Sequence, residues 1–435
     1  MSYYILPRIE SGVIVKPSLF SSKDKLKPYI SQSLITYMNE SHLILEQQLG
    51  LDINKGISIK MLNQVIHTYD FLFSVVSGTK SSISQIQVEN AIFFDIIEIY
   101  NTLKIYDELP DSPINILLFG KSSSSVLEAL NRQRINWKDY SLVFEKLQSS
   151  NNLLSYLTPK IENPLWDLNI PESMKASCHI LYFEATNEKE YLELNRYILY
   201  LIRCILSINN YQVLSGVTII KIDNITYKPI VDLIYLISGM YEKSYIMKPN
   251  TSNVITNERY IICKHYNGIK KSICDSLISI YNELEKTRDD IIIESLLGNK
   301  IFSYFANKLE ESNIIIGQQK LDAYAQIINL LKSKNNMGKM DMLQKHNIQK
   351  CMYWCDKYKI PFNKMGELTQ TCVFISENPH SEESIENSTD ELFYLYMEKH
   401  YSSQSENDDY FENENNSDLL EISKINNYLM RTAKV

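Results

Sequence analysis

Between residues 86 and 268, short apolar runs alternate with amphipathic stretches, and this alternation constrains the fold more than any other feature of the chain. The runs Ile114 to Phe119, Cys178 to Phe183, Val217 to Ile222, Ser244 to Met247 and Tyr260 to Cys263 have the length and composition of strands. Around and between them, "VENAIFFDIIEIYNTLKIY", "YLELNRYILYLIRCILSINN" and "YKPIVDLIYLISGMYEK" place apolar residues at helical spacing. Such alternation predicts an α/β domain, an open and largely parallel sheet wrapped by helices, because parallel neighbours need a long crossover. Residues 1–85 predict an N-terminal helical extension, from the helical spacing in "SQSLITYMNESHLILEQQL" and "ISIKMLNQVIHTYDFLFSVV". Residues 269–375 predict a C-terminal helical region, and the acidic, polar residues 376–435 predict a largely disordered tail. No internal repeat interrupts this order.

Seven cysteines in no regular spacing predict free thiols in a reducing, intracellular compartment. No run approaches the ~18 apolar residues that span a bilayer, so no membrane partner is expected. A net charge of −8 argues against a surface that binds nucleic acid all over, but the acid is concentrated near the C-terminus. The body before about residue 375 is closer to neutral and has room for a basic patch. Lys243, Lys248, Lys264, Lys270 and Lys271 bracket the later strands, either as a solvated face or as phosphate contacts. In "HNIQKCMYWCDKY", Cys351 and Cys355 share a helix face, yet no second Cys/His pair lies at zinc spacing, so buried small apolar side chains are expected there.

The segment "INILLFGKSSSSVLEAL", residues 114–130, hands a strand over to a helix around Gly120 and a run of four serines. Ser125, with Glu128 three residues later, fits a capping box, which predicts a helix start at that point. The free N–H groups of such a start also suit an anion.

Residues 215–268, "SGVTIIKIDNITYKPIVDLIYLISGMYEKSYIMKPNTSNVITNERYIICKHYNG", hold the most specific pattern. Gly216 in a turn, "TIIKI" ending near Lys221, a helix over 229–241, "IMKPNTSN" and "NERYIICK" opening with Glu258 follow in order. This order resembles the FtsJ-like RNA ribose 2′-O-methyltransferases, particularly the divergent forms of large cytoplasmic DNA viruses such as asfarviruses and poxviruses. The resemblance implies a Rossmann-like methyltransferase sheet over residues 86–268 and a lysine-aspartate-lysine-glutamate tetrad around a ribose 2′-OH. In it a lysine of depressed pKa accepts the hydroxyl proton while S-adenosylmethionine donates the methyl group.

Lys221 and Glu258 take the third and fourth tetrad positions. Aligned on Glu98, Asp95 stands where the first lysine belongs, and Glu184 falls at or next to the aspartate position, with Ala185 the other candidate. In the cofactor loop, Leu118 stands at the acidic position, Gly120 is kept, and Ser122, Ser123, Ser124 and Ser125 replace the remaining glycine-rich stretch. Serine at a position needing positive φ costs about 1 kcal/mol or more, and each added side chain narrows the loop. The implied partners are RNA, such as capped mRNA, and other viral capping, transcription or virion proteins, in the host cytoplasm or the virion. Erosion of the loop and of half the tetrad predicts weak or lost catalysis and a subunit or virion role. An active cap methyltransferase with a rebuilt pocket, and an RNA-binding scaffold recruiting partners through the acidic tail, are the alternatives.

Overall fold

The computed structural model describes residues 2–9, 13–21, 27–52, 59–76, 79, 81–144, 170–185, 194–223, 225–286, 291–332 and 336–364. They fall into two units, 2–40 with 88–324 and 41–87 with 325–364.

The first unit is built on a mixed α/β sheet. Its seven strands are β1 (Ser2–Leu6), β3 (Asn115–Phe119), β4 (Tyr140–Phe144), β5 (Cys178–Ala185), β6 (Gln212–Ile222), β7 (Tyr241–Lys248) and β8 (Arg259–Tyr266), in the order β1-β7-β8-β6-β5-β3-β4. β4, β3, β5 and β6 are mutually parallel, while β8, β7 and β1 add antiparallel pairings. The largely parallel sheet that the alternation predicts is therefore half antiparallel. After β6, helix α6 (Lys228–Gly239) carries the chain one place beyond the neighbouring position. The loop 249–258 then returns β8 into the gap, and an antiparallel partner needs no helical crossover. β3 and β5 are almost wholly buried, which is why each reads as a nearly unbroken apolar run. Helices α3 (Ile92–Thr102), α4 (Ser123–Gln133) and α5 (Leu194–Tyr211) complete the alternation.

Three strands lie in segments whose pattern predicts helix. β1 is an edge strand that pairs with β7 and leaves Tyr3 and Ile5 exposed. β2 (Val15–Ser21) and β9 (Ile291–Leu297) form a separate two-stranded antiparallel sheet. Asp232 of α6 holds that sheet, its Oδ2 accepting the Ser295 hydroxyl and the Leu296 N–H, both at 2.8 Å.

In the second unit, Asn347 of α9 (Asn336–Lys357) donates from Nδ2 to the carbonyls of Gln64 and Val65 at 3.1 and 2.8 Å, tying down the end of α2 (Ile59–Ile66). Cys351 and Cys355 are buried on α9, and burial pushes the Cys355 thiol up to about 12. Among the described residues no helix is long and apolar enough to cross a membrane. The predicted acidic tail lies outside the described residues.

Candidate functional site

The chain leaves β3 through α4 toward β4 on one side of the sheet, and leaves β5 through α5 toward β6 on the other. The order therefore reverses between β3 and β5, and in open α/β sheets ligands bind at the carboxyl ends of the strands at such a switch. Gly120 follows β3 there with φ +144°, a conformation that L side chains rarely adopt. Glu184, near the end of β5, lies directly over it: a Cβ at position 120 would meet the Glu184 Cβ, and its Oε2 at 2.7 Å. Glu184 Oε2 accepts the Ser122 N–H at 3.0 Å, and Oε1 accepts the Ser122 hydroxyl at 3.3 Å.

Lys221 stands beside Glu184 in the parallel register of β5 and β6. Its Nζ is 3.6 Å from Glu184 Oε1 and 3.1 Å from Glu258 Oε1. The Lys221 and Glu184 side chains are buried, whereas that of Glu258 is 30% exposed, so the cluster meets solvent on the Glu258 side. Burial alone would push the Lys221 ammonium down, but Glu258, Glu184 and, from farther off, Asp95 together hold it above its ordinary value. A lysine of depressed pKa, as the resemblance implies, is thus not what these neighbours produce.

Asp95 is brought to the same region but faces protein. The Thr251 and Ser252 hydroxyls donate to Oδ1 and Oδ2 at 2.5 and 2.7 Å, and the Tyr260 hydroxyl donates to Oδ2 at 2.9 Å. Burial pushes its carboxyl up, against the pull of the Thr251 and Ser252 hydroxyls. One turn on, Glu98 Oε1 accepts both the N–H and the Nδ2 of Asn250, at 3.1 and 2.7 Å. Two carboxylates on one face of α3 therefore clasp the "KPNTS" loop. Asp95 anchors this loop in the position where the resemblance implies a ribose-contacting lysine.

Helix α4 begins at Ser123 with Ser122 as its cap residue, three residues earlier than the Ser125 cap that the capping box predicts. The Ser122 hydroxyl makes no cap hydrogen bond: it donates to Glu184 Oε1, and its oxygen accepts from Asn90 Nδ2 at 3.3 Å instead of from a backbone N–H of the first turn. Ser124 Oγ donates to Glu89 at 2.8 Å, while Ser123 and Ser125 Oγ are buried without a hydrogen-bond partner among the described residues. Leu118 is buried in the sheet, in register with Val143 and Tyr182.

Two of the five lysines that bracket the later strands, read as a solvated face or as phosphate contacts, lie inside the protein. Lys264 Nζ is 2.5 Å from Glu108 Oε1 and donates to the Leu103 carbonyl at 2.9 Å; Lys248 donates to the carbonyls of Thr256 and Glu258. Strand pairing turns both side chains inward. Lys243, Lys270 and Lys271 remain exposed. Sequence patterns gave no sign of Tyr260, Thr251 or Ser252 as partners of Asp95. Tyr260 stands two residues after Glu258, in the strand that pairs with the Lys221 strand, and only that pairing brings it to Asp95.

No protein-family model matches the chain. Over 193 residues it is 24% identical to the uncharacterized protein R383 of Acanthamoeba polyphaga mimivirus, a match covering 43% of this chain. The matched region spans half the length of that relative.

Proposed function

We propose that the chain is a viral protein with an FtsJ-like RNA 2′-O-methyltransferase fold, linked to mRNA capping or transcription, which has lost methyl transfer and serves as a subunit or virion component. The observation that carries this is the Glu184 carboxylate seated over Gly120 and bonded to Ser122. In the family this resembles, glycines open that loop to the methionine part of S-adenosylmethionine. Here the protein's own carboxylate fills the opening, and the acidic position is a buried leucine. These residues do not fit the cofactor. Lys221, held as an ammonium between two carboxylates, has no lone pair with which to take a hydroxyl proton. The mimivirus relative supports a viral source. Calorimetric titration of the full chain with S-adenosylmethionine is the test. No heat of binding is expected, and a micromolar dissociation constant overturns the reading.

An active cap ribose methyltransferase is the second reading, favoured by the 3.1 Å contact between Lys221 and Glu258, the two tetrad positions this sequence keeps. It requires methyl transfer to capped RNA that disappears in Lys221→Ala.

A further inference from the structure

Beside the Lys221 cluster, three buried cations surround one short stretch of backbone. Lys248 ends β7, Arg259 opens β8, and Lys320 comes from α8 (Ser303–Lys332); each is only 5 or 6% exposed. Lys248 Nζ donates to the carbonyls of Thr256 and Glu258 at 2.8 and 2.9 Å. Arg259 donates from Nε to the Asn257 carbonyl at 3.0 Å and from Nη1 to Asn313 Oδ1 at 2.6 Å. Lys320 Nζ donates to Asn257 Oδ1 at 3.3 Å and lies 5.7 Å from the centre of the Tyr324 ring. Every acceptor is a neutral oxygen, and among the described residues none of the three cations has a carboxylate within 4.0 Å.

Neutral oxygens satisfy the N–H groups but cannot balance three like charges out of water. Burial pushes Lys248 down to about 7, with Arg259 and Lys320 pushing the same way and Glu258 and Asp95 opposing. Lys320 falls to about 8 through burial and Arg259, with Asp223 opposing. Arg259 falls to about 10 through burial, with Asp223, Tyr197 and Tyr4 opposing. The cover over the three is thin. Residues 253–258 are half-buried, and they close on themselves through Asn253, whose Oδ1 accepts the Ile255 N–H and whose carbonyl accepts the Thr256 hydroxyl.

We propose that Lys248, Arg259 and Lys320 form a binding site for a phosphate group, with the Asn257 side-chain oxygen standing where a phosphate oxygen would sit. A phosphate offers several strong acceptors to one guanidinium fork and two ammonium groups, and supplies the missing negative charge. Lys320 lies outside residues 86–268 and none of the three cations touches Glu184, so the site stands whether or not the methyltransferase reading holds.

Calorimetry on the full chain with inorganic pyrophosphate, near the Lys320 value of about 8, tests this in two buffers of different ionisation heat. Saturable binding with proton uptake is expected, because the anion returns Lys248 and Lys320 to their charged forms. Lys320→Met should weaken binding about tenfold or more, whereas Lys175→Met, at an exposed surface pair, should leave it unchanged. Asn257→Ala removes the competing oxygen and keeps all three cations, so it should bind as tightly as the parent or more tightly. That variant decides the matter if Lys320→Met fails to fold. No saturable heat, equal heats in the two buffers, undiminished binding in a folded Lys320→Met protein, or clearly weaker binding by Asn257→Ala each overturns the proposal. Parallel titrations with 5′-phosphorylated and 5′-hydroxyl oligoribonucleotides identify the source. A preference for the first marks a terminal phosphate, equal binding a backbone diester, and binding of pyrophosphate alone a free anion.

Discussion

Lys221 shows how one residue can be in the expected place and in an unexpected state. Its two carboxylate neighbours outweigh its burial, so the charged form is the one the folded protein prefers. Removing that charge in Lys221→Met leaves Glu184 buried beside Ser122 with no cation at its side, a change that typically costs about 3–5 kcal/mol. Urea unfolding should register that loss, and Lys221→Met combined with Glu184→Gln should recover part of it. Because the folded value lies above the ordinary 10.5, the stability that Lys221 contributes is complete below 10.5 and disappears as pH rises beyond it. Lys248 has the opposite sign. Its folded value of about 7 lies below 10.5, so the unfolded chain holds more protons between the two and stability rises with pH across that window. The stability difference between the parent and Lys248→Met, from denaturant titrations at several pH values, should therefore widen from neutral toward alkaline conditions. A constant difference would show that Lys248 stays charged in the fold.

At the scale of elements, the join between α3 and the loop 249–252 decides what the site can be. Asp95 receives three hydroxyls and Glu98 receives Asn250, so the loop that leads from Lys248 toward Glu258 is fixed by a helix some 150 residues earlier in the chain. Asp95→Ala strands those hydroxyls and should destabilise the fold by about 3 kcal/mol, measured by chemical denaturation. Asp95→Lys, which puts in the residue that the family resemblance implies, should prevent folding, as read by circular dichroism, because a cation there faces donors in a buried cage. The ordered motif over 215–268 was enough to locate Lys221 and Glu258, since its spacing fixes which strands they end or open. The position of Asp95 was also legible, but its role was not, because its partners Thr251, Ser252 and Tyr260 meet it only through tertiary contact. Strand direction was hidden for a similar reason. Nothing in the run Tyr260 to Cys263 distinguishes a strand reached by a crossover from one reached by a returning loop.

Across the whole molecule, charge is segregated along the chain. Residues 376–435 carry 14 acidic and four basic side chains, a net −10, so with −8 overall the chain before residue 376 has a formal charge of +2. Any polyanion approaching Lys243, Lys270 or Lys271 therefore meets a chain whose first 375 residues are near neutral and whose last 60 are strongly acidic. Negative charges carried on the same chain compete with a polyanion at low ionic strength and are screened at separations beyond about 10 Å near 0.1 M salt. On the RNA-linked role proposed above, a chain ending at residue 375 should thus bind single-stranded RNA about tenfold more tightly than the full chain at ~50 mM salt, by fluorescence anisotropy. The two affinities should converge near ~1 M salt, where the Debye length falls to about 3 Å. Unchanged thermal melting of the shortened chain would show that the gain comes from charge and not from refolding. Equal affinities at low salt would count against competition by the acidic residues and in favour of the alternative in which they recruit a protein partner.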